Sequence, residues 1–167
     1  AEEIADAAAQ TMDEEEEDVQ LLRQLPFFAN LDRSHLKLLA ATCEKVHYDA
    51  GAFIFHQGER ADSMYVVVSG EAEIVVSEGG AENTLRRIGR NQVVGEIALL
   101  TDETRSASIR VVTPVEAIRL TRETFVELVK DRTDISFQLI QQLAKRLFDT
   151  TKRYETVLEE QRRAVNW

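Results

Sequence analysis

The apolar pattern of this chain changes period twice, and those two changes limit what it can fold into. Before about residue 45 and after about residue 121, apolar residues recur at helical spacing; between Val46 and about Leu120 they come in short alternating runs. Alternation buries one face of a strand and leaves the other wet, while spacing of three and four makes a helix stripe. The alternating region divides into Ala52 to Phe55, Met64 to Ser69, Glu71 to Ser77, Asn83 to Ile88, Gln92 to Val94, Ser106 to Val112 and Val115 to Leu120. In Glu71 to Ser77, Ala72, Ile74 and Val76 share one face and Glu71, Glu73 and Ser77 the other. The run Glu78-Gly79-Gly80-Ala81 supplies a hairpin turn. Short strands at such close intervals predict a mainly β fold with flanking helices: a small antiparallel barrel or jelly roll.

The flanks read as helices. Val19 to Leu31 is a short helix interrupted by Pro26. Ser34 is the expected N-cap of a second, from about His35 to Lys45, carrying Leu36, Leu38, Leu39 and Cys43. Thr121, with Thr124 three residues on, is the expected cap of a helix reaching about Lys130. A long helix then runs from about Asp134 to Glu160. Its Phe137, Ile140, Ala144, Leu147, Thr151, Tyr154 and Leu158 recur at alternating threes and fours, a heptad-like seam. The seam outlasts what one small barrel can cover, which points to a partner helix and a homodimer.

Charge is unevenly placed. The net charge is -10, yet residues 1–18 hold nine acidic side chains and no lysine or arginine, so the rest carries 21 acidic against 20 basic residues. The chain therefore divides into an acidic, flexible segment at 1–18, a domain at 19–133, and a helix and tail for dimerisation or lid at 134–167. An acidic run is usually solvated and mobile. The single cysteine, Cys43, allows no internal disulfide and suits a reducing, cytoplasmic setting; in an apolar helix it reads as core. A chain that opens on Ala1 reads as processed or excised from a longer one. No apolar run is long enough to span a membrane and no signal peptide is visible. His35, His47 and His56 lack metal-ligand spacing, and no catalytic set stands out, so neither metal, cofactor nor enzyme is expected.

The run Gly95-Glu96-Ile97-Ala98-Leu99-Leu100-Thr101-Asp102-Glu103-Thr104-Arg105-Ser106-Ala107-Ser108 carries the chemistry. Ile97 to Leu100 read as one helical turn, whose start offers unpaired N–H groups to a phosphate. Gly95 lets backbone approach closely. Arg105 opens the next strand, and its mates on that face are Ala107, Ile109 and Val111. The guanidinium is thus turned inward, where it needs an anion. Two anions can serve: Glu96, or a ligand phosphate gripped by two parallel hydrogen bonds.

This run resembles the phosphate-binding cassette of the cyclic-nucleotide-binding domain family: Gly-Glu-x-Ala-Leu-aliphatic, a short loop, then Arg-x-Ala-(Ser/Thr). Gly95, Glu96, Ala98, Leu99, Leu100, Arg105, Ala107 and Ser108 match it. A second signature of that family is similar to Gly58-Glu59, Ala61-Asp62, Met64-Tyr65 and Gly70. The resemblance implies that Glu96 takes the ribose 2′-hydroxyl, that Arg105 takes the cyclic phosphate, and that N–H groups near Ile97 and Ala98 help. Thr104 stands where many kinase-type members have Pro, which catabolite-activator-type members also lack. Ser106 occupies a base-contacting place that holds Thr in cGMP-selective kinases and Ser in the catabolite activator. The stretch from Leu143 to Thr151 is similar to that activator's dimer helix, which puts Thr150 and Thr151 where a Thr-Ser pair meets adenine. The ligand implied is cAMP, possibly cGMP, in a regulatory module that relays occupancy through its helices, within a longer parent chain or alone. The residues after Tyr154 are too few for the activator's helix-turn-helix, and no basic patch replaces it, so no nucleic acid is expected to bind this chain. Two alternatives stay open: a degenerate domain serving dimerisation or docking, and the sensor half of a transcription factor.

Overall fold

The computed structural model describes residues 2–166. Ala1 and Trp167, on which the readings of the two chain ends rest, lie outside them. The chain forms two compact units, Ala1–Leu128 and Val129–Trp167.

The first unit opens with α1 (Glu2–Gln24) and α2 (Arg33–Thr42). α1 begins some seventeen positions before the expected helix start at Val19, because Ala and Glu, which dominate the early segment, are strong helix formers. The acidic run is therefore helical where a mobile segment was expected. Two of its carboxylates are engaged: Glu16 pairs with Arg33 at 2.6 Å and Asp18 with Lys45 at 2.7 Å. The cap of α2 is Asp32 rather than Ser34. Its carboxylate accepts from the His35 N–H at 2.9 Å, and an Asp cap fills one of the helix's orphan donors. Val19, Leu22, Leu25, Phe27, Phe28, Leu36 and Leu39 are buried, and the rings of Phe27 and Phe28 meet edge to face at 5.1 Å. Each such side chain contributes about 1.5–3 kcal/mol by leaving water. Cys43, read as core, is only half-buried; its burial still pushes the thiol up to about 11, which disfavours the reactive thiolate.

Eight antiparallel strands follow: β1 (Glu44–Tyr48), β2 (Phe53–Phe55), β3 (Ser63–Ser69), β4 (Ala72–Glu78), β5 (Ala81–Ile88), β6 (Val93–Val94), β7 (Ser108–Val111) and β8 (Val115–Thr121), with α3 (Glu96–Thr101) between β6 and β7. They form two four-stranded sheets, ordered β1-β8-β3-β6 and β2-β7-β4-β5. The architecture is the expected jelly roll, built as two sheets rather than a closed barrel. Its core draws on both: Phe55, Tyr65, Val67, Ala72, Ile88, Val94, Ile109, Val111, Val115 and Ala117, with Val46, Tyr48 and Ile74 packed against them. Thr121 closes β8 and caps α4 (Arg122–Asp131) as expected: its hydroxyl accepts from the Thr124 N–H at 3.3 Å.

The second unit is dominated by α5 (Thr133–Val165), which overruns the expected span at its C-terminal end. Ile135 and Leu139 are buried, whereas Phe137 and Ile140 are 60% exposed, Leu147 68% and Tyr154 64%. Most of the seam read from the sequence thus forms an exposed apolar stripe. No helix among the described residues is long and apolar enough to cross a membrane.

Two stability outcomes follow from the first unit. Gly70 sits at φ +85°, and a Cβ there would lie 2.1 Å from the Pro114 carbonyl oxygen. Gly70→Ala is expected to cost about 1–2 kcal/mol for the left-handed backbone alone, with the clash added. Chemical denaturation reads this as a lowered midpoint; an unchanged midpoint contradicts it. The second outcome concerns Tyr48, whose phenol burial pushes up to about 12, with Tyr65 beside it adding to the shift. An unfolded tyrosine ionises near 10. The folded state therefore holds the proton more tightly, and Tyr48's contribution is whole below pH about 10 and lost as the pH climbs toward about 12. Unfolding free energy should fall across that window in the wild type and fall less steeply in Tyr48→Phe.

Candidate functional site

The site is built where the chain leaves β6. Gly95 takes φ +84°, a conformation costly for any side chain bearing a Cβ. A Cβ at that point would also lie 2.6 Å from a terminal nitrogen of Arg105 and 3.2 Å from the Phe55 ring. α3 then makes its short turn and stops at Asp102, itself left-handed at φ +56°, whose N–H closes on the Ala98 carbonyl. The loop after it delivers Arg105.

Arg105 is only 4% exposed. One terminal nitrogen donates to the Gly95 carbonyl at 2.8 Å and the other to the Ser63 carbonyl at 2.6 Å. The guanidinium carbon lies 4.0 Å from the centroid of the Phe55 ring, a cation–π contact. Its Nε is buried and makes no hydrogen bond. Burial holds the guanidinium below the usual arginine range, and neighbours including Tyr65, Asp62, Glu59 and Glu96 oppose that shift. A buried cation costs several kcal/mol, roughly, unless its donors are met; here two backbone carbonyls and a ring face meet part of that need.

Arg105 was expected to open a strand, but β7 begins at Ser108. The residues before it are held by a different partner. The Gly58 N–H donates to the Arg105 carbonyl and the Arg105 N–H to the Glu59 carbonyl, both at 2.8 Å, and Arg60 bridges Thr104. These bonds, not strand alternation, turn the side chain inward, and they tie the Gly58-Glu59 signature directly to the cassette.

The remaining candidates are distributed unevenly. Glu96, the first residue of α3, is 1% exposed, and Ala98 is buried with it. Ile97 and Ser106 are exposed, and Gly95 and Ala107 half-buried. Thr150 and Thr151 stand exposed on α5 of the second unit. Two functional residues escaped the sequence reading. Phe55 sits at the end of a recognised strand, where nothing but packing says that its ring will face an arginine. Ser63 contributes through its backbone carbonyl, which no residue type announces. Its hydroxyl donates to Asp62 at 2.8 Å and holds that carboxyl below its usual range. Chemically, the arrangement offers a fixed cation with unspent donors beside a buried carboxylate, a pairing suited to an anion and an adjoining hydroxyl. Among the described residues no cluster of His, Cys, Asp and Glu could hold a metal.

The family model of the cyclic nucleotide-binding domain matches residues 45–132. A cGMP-dependent protein kinase of Caenorhabditis briggsae is 33% identical over 116 residues, which is 68% of this chain and 16% of the kinase. A CRP-like cAMP-activated global transcriptional regulator of Mycobacterium tuberculosis is 29% identical over 129 residues, 77% of this chain and 58% of the regulator. The regulatory domain of Toxoplasma gondii PKA, solved with cAMP, superposes with a TM-score of 0.61 at 28% identity, covering 70% of this chain and 45% of that one. The chain thus spans less than two thirds of each. With its model matched across both signatures and all eight strands but the first residue of β1, the chain belongs to the cyclic nucleotide-binding domain family.

Proposed function

We propose that this chain is a non-catalytic regulatory module that binds cAMP and passes its occupancy on through its helices. The observation that carries the reading is Arg105, a buried guanidinium whose Nε is left without a partner beside the Gly95 turn. A cyclic phosphate fits that demand, since arginine grips phosphate with two parallel bonds. Glu96, next to it, is the acceptor for the ribose 2′-hydroxyl, and N–H groups near Ile97 and Ala98 complete the phosphate seat. Ala107 follows Arg105 in the cassette wall, and Ser106 is placed to meet the base. The relatives' names divide between cAMP and cGMP; the Ser106 and Thr150-Thr151 readings favour adenine. The module works in the cytoplasm, or as the cytoplasmic part of a longer chain.

The exposed stripe on α5 supports a homodimer, because most small homo-oligomers close about a two-fold axis with self-complementary faces. Thr150 and Thr151 would then offer hydroxyls to adenine from the dimer helix.

Calorimetry with cAMP and cGMP tests the pocket. Arg105→Leu should fold and lose most binding, a charge-assisted contact being worth about 1.5–3 kcal/mol; unchanged affinity sinks the assignment. Glu96→Gln should weaken cAMP yet hardly touch its 2′-deoxy analogue, and equal losses would make Glu96 structural.

Light scattering tests the dimer. Leu147→Glu buries like charges across the axis and should yield a monomer. Thr150→Val with Thr151→Val should lower cAMP affinity by about 1–3 kcal/mol per lost buried hydroxyl partner and cGMP affinity much less. A wild-type monomer in saturating cAMP, or an unaltered adenine preference in the double variant, removes the dimer reading and leaves base choice to Ser106.

A further inference from the structure

Strand alternation would set Phe53 and Phe55 on one face of β2. The structure parts them. Phe53 pairs with Arg110 of β7 and Phe55 with Ile109, so the register shifts between them. Two positions on one strand against one on its partner make a β-bulge, a device that re-aims a side chain. Partners across a ladder share a face. Phe53 thus goes with Arg110, whose guanidinium pairs with Glu73 and Glu82, while Phe55 goes with Ile109 into the core. There its ring centroid lies 6.0 Å from that of Tyr65, and Tyr65 meets Tyr48 edge to face at 6.5 Å.

The ring so placed carries Arg105 over its face, with the guanidinium carbon 4.0 Å from the centroid. A ring face holds the plane of that group, because tilting away loses the attraction to the ring's negative face. The carbonyls of Gly95 and Ser63, each taking one terminal nitrogen, fix its rotation within the plane. Nε, buried and making no hydrogen bond, is fixed in the same rigid fork.

We propose that Phe55 is a positioning residue that makes the site distinguish the two exocyclic oxygens of a cyclic phosphate. The inference rests on the cAMP reading above. Two parallel bonds from one edge of the guanidinium put one oxygen on Nε and the other on a terminal nitrogen already shared with a carbonyl. With plane and rotation both held, the oxygens are bound unequally and cannot trade places. A guanidinium free to tilt would turn toward whichever oxygen is the better acceptor, and the difference between them would fade.

Phosphorothioate analogues of cAMP test this, because sulfur replaces one exocyclic oxygen or the other and is the weaker acceptor. Calorimetry on the full chain, with cAMP and with the Sp and Rp diastereomers, gives the ratio of the two analogues' affinities. In the wild type that ratio should be about tenfold, the scale of one weakened charge-assisted bond. In Phe55→Leu it should fall to about twofold or less. Phe55→pentafluorophenylalanine keeps the ring's outline but reverses the charge of its face. It should lower the ratio as well, and it decides the case alone if circular dichroism shows the leucine variant unfolded. A ring that only packs would cost both diastereomers alike and leave the ratio unchanged, which overturns the proposal. So does a ratio lowered by leucine but kept by the fluorinated ring, since shape alone would then suffice. A wild type that binds cAMP yet holds both diastereomers within about twofold of each other overturns it too. A wild type that takes up no cAMP is a different result, and it removes the nucleotide reading itself.

Discussion

The burial of one guanidinium organises this domain. Arg105 is held by a carbonyl at the start of β3, by a carbonyl at the start of the cassette and by the Phe55 ring at the end of β2. Three segments distant in sequence are thereby fixed to one planar group. The same group dictates that residue 95 have no Cβ, because the space beside it is already filled. It also requires backbone pairing with Gly58 and Glu59, since only an anchored main chain can present a cation inward against its preference for water. The jelly roll is the frame on which those constraints are met, with the site placed on the loops and short helix that the sheets support.

How far the sequence discloses this depends on the kind of interaction. Burial on one face of a strand repeats every second residue, so Ala72, Ile74 and their neighbours disclosed a β architecture, and the Gly79-Gly80 pair its hairpin. Arg105 was legible as an inward cation, but for the wrong reason: alternation predicted a strand, while two backbone bonds to the Gly58-Glu59 run do the work. Main-chain acceptors such as the Ser63 carbonyl are silent in sequence because every residue has one. Cap choice was misread for a related reason. Asp32 and Ser34 are both good capping types, and only the fold decides which carboxylate or hydroxyl reaches the orphan N–H.

The acidic run makes the same point at larger scale. Nine carboxylates in eighteen residues suggested a solvated tail by composition. Composition does not register Arg33 and Lys45, which lie outside the run and pair with Glu16 and Asp18. Such pairs are largely exposed and each adds little energy, so the helix is anchored chiefly by Val19 and Leu22, buried on its C-terminal part. Charge sets where the helix can lie; apolar burial sets whether it stays.

The partly met needs of Arg105 bear on how such a site can act as a sensor. A side chain already fixed by two carbonyls and a ring does not lose rotamer freedom when an anion arrives, so that entropic cost of binding has been met in folding. The desolvation of the cation has been met there too, and it weighs on the fold as burial that its contacts only partly offset. An anion that satisfies the remaining donors removes that weight, and anything that binds the native state but not the unfolded one stabilises it in proportion to occupancy.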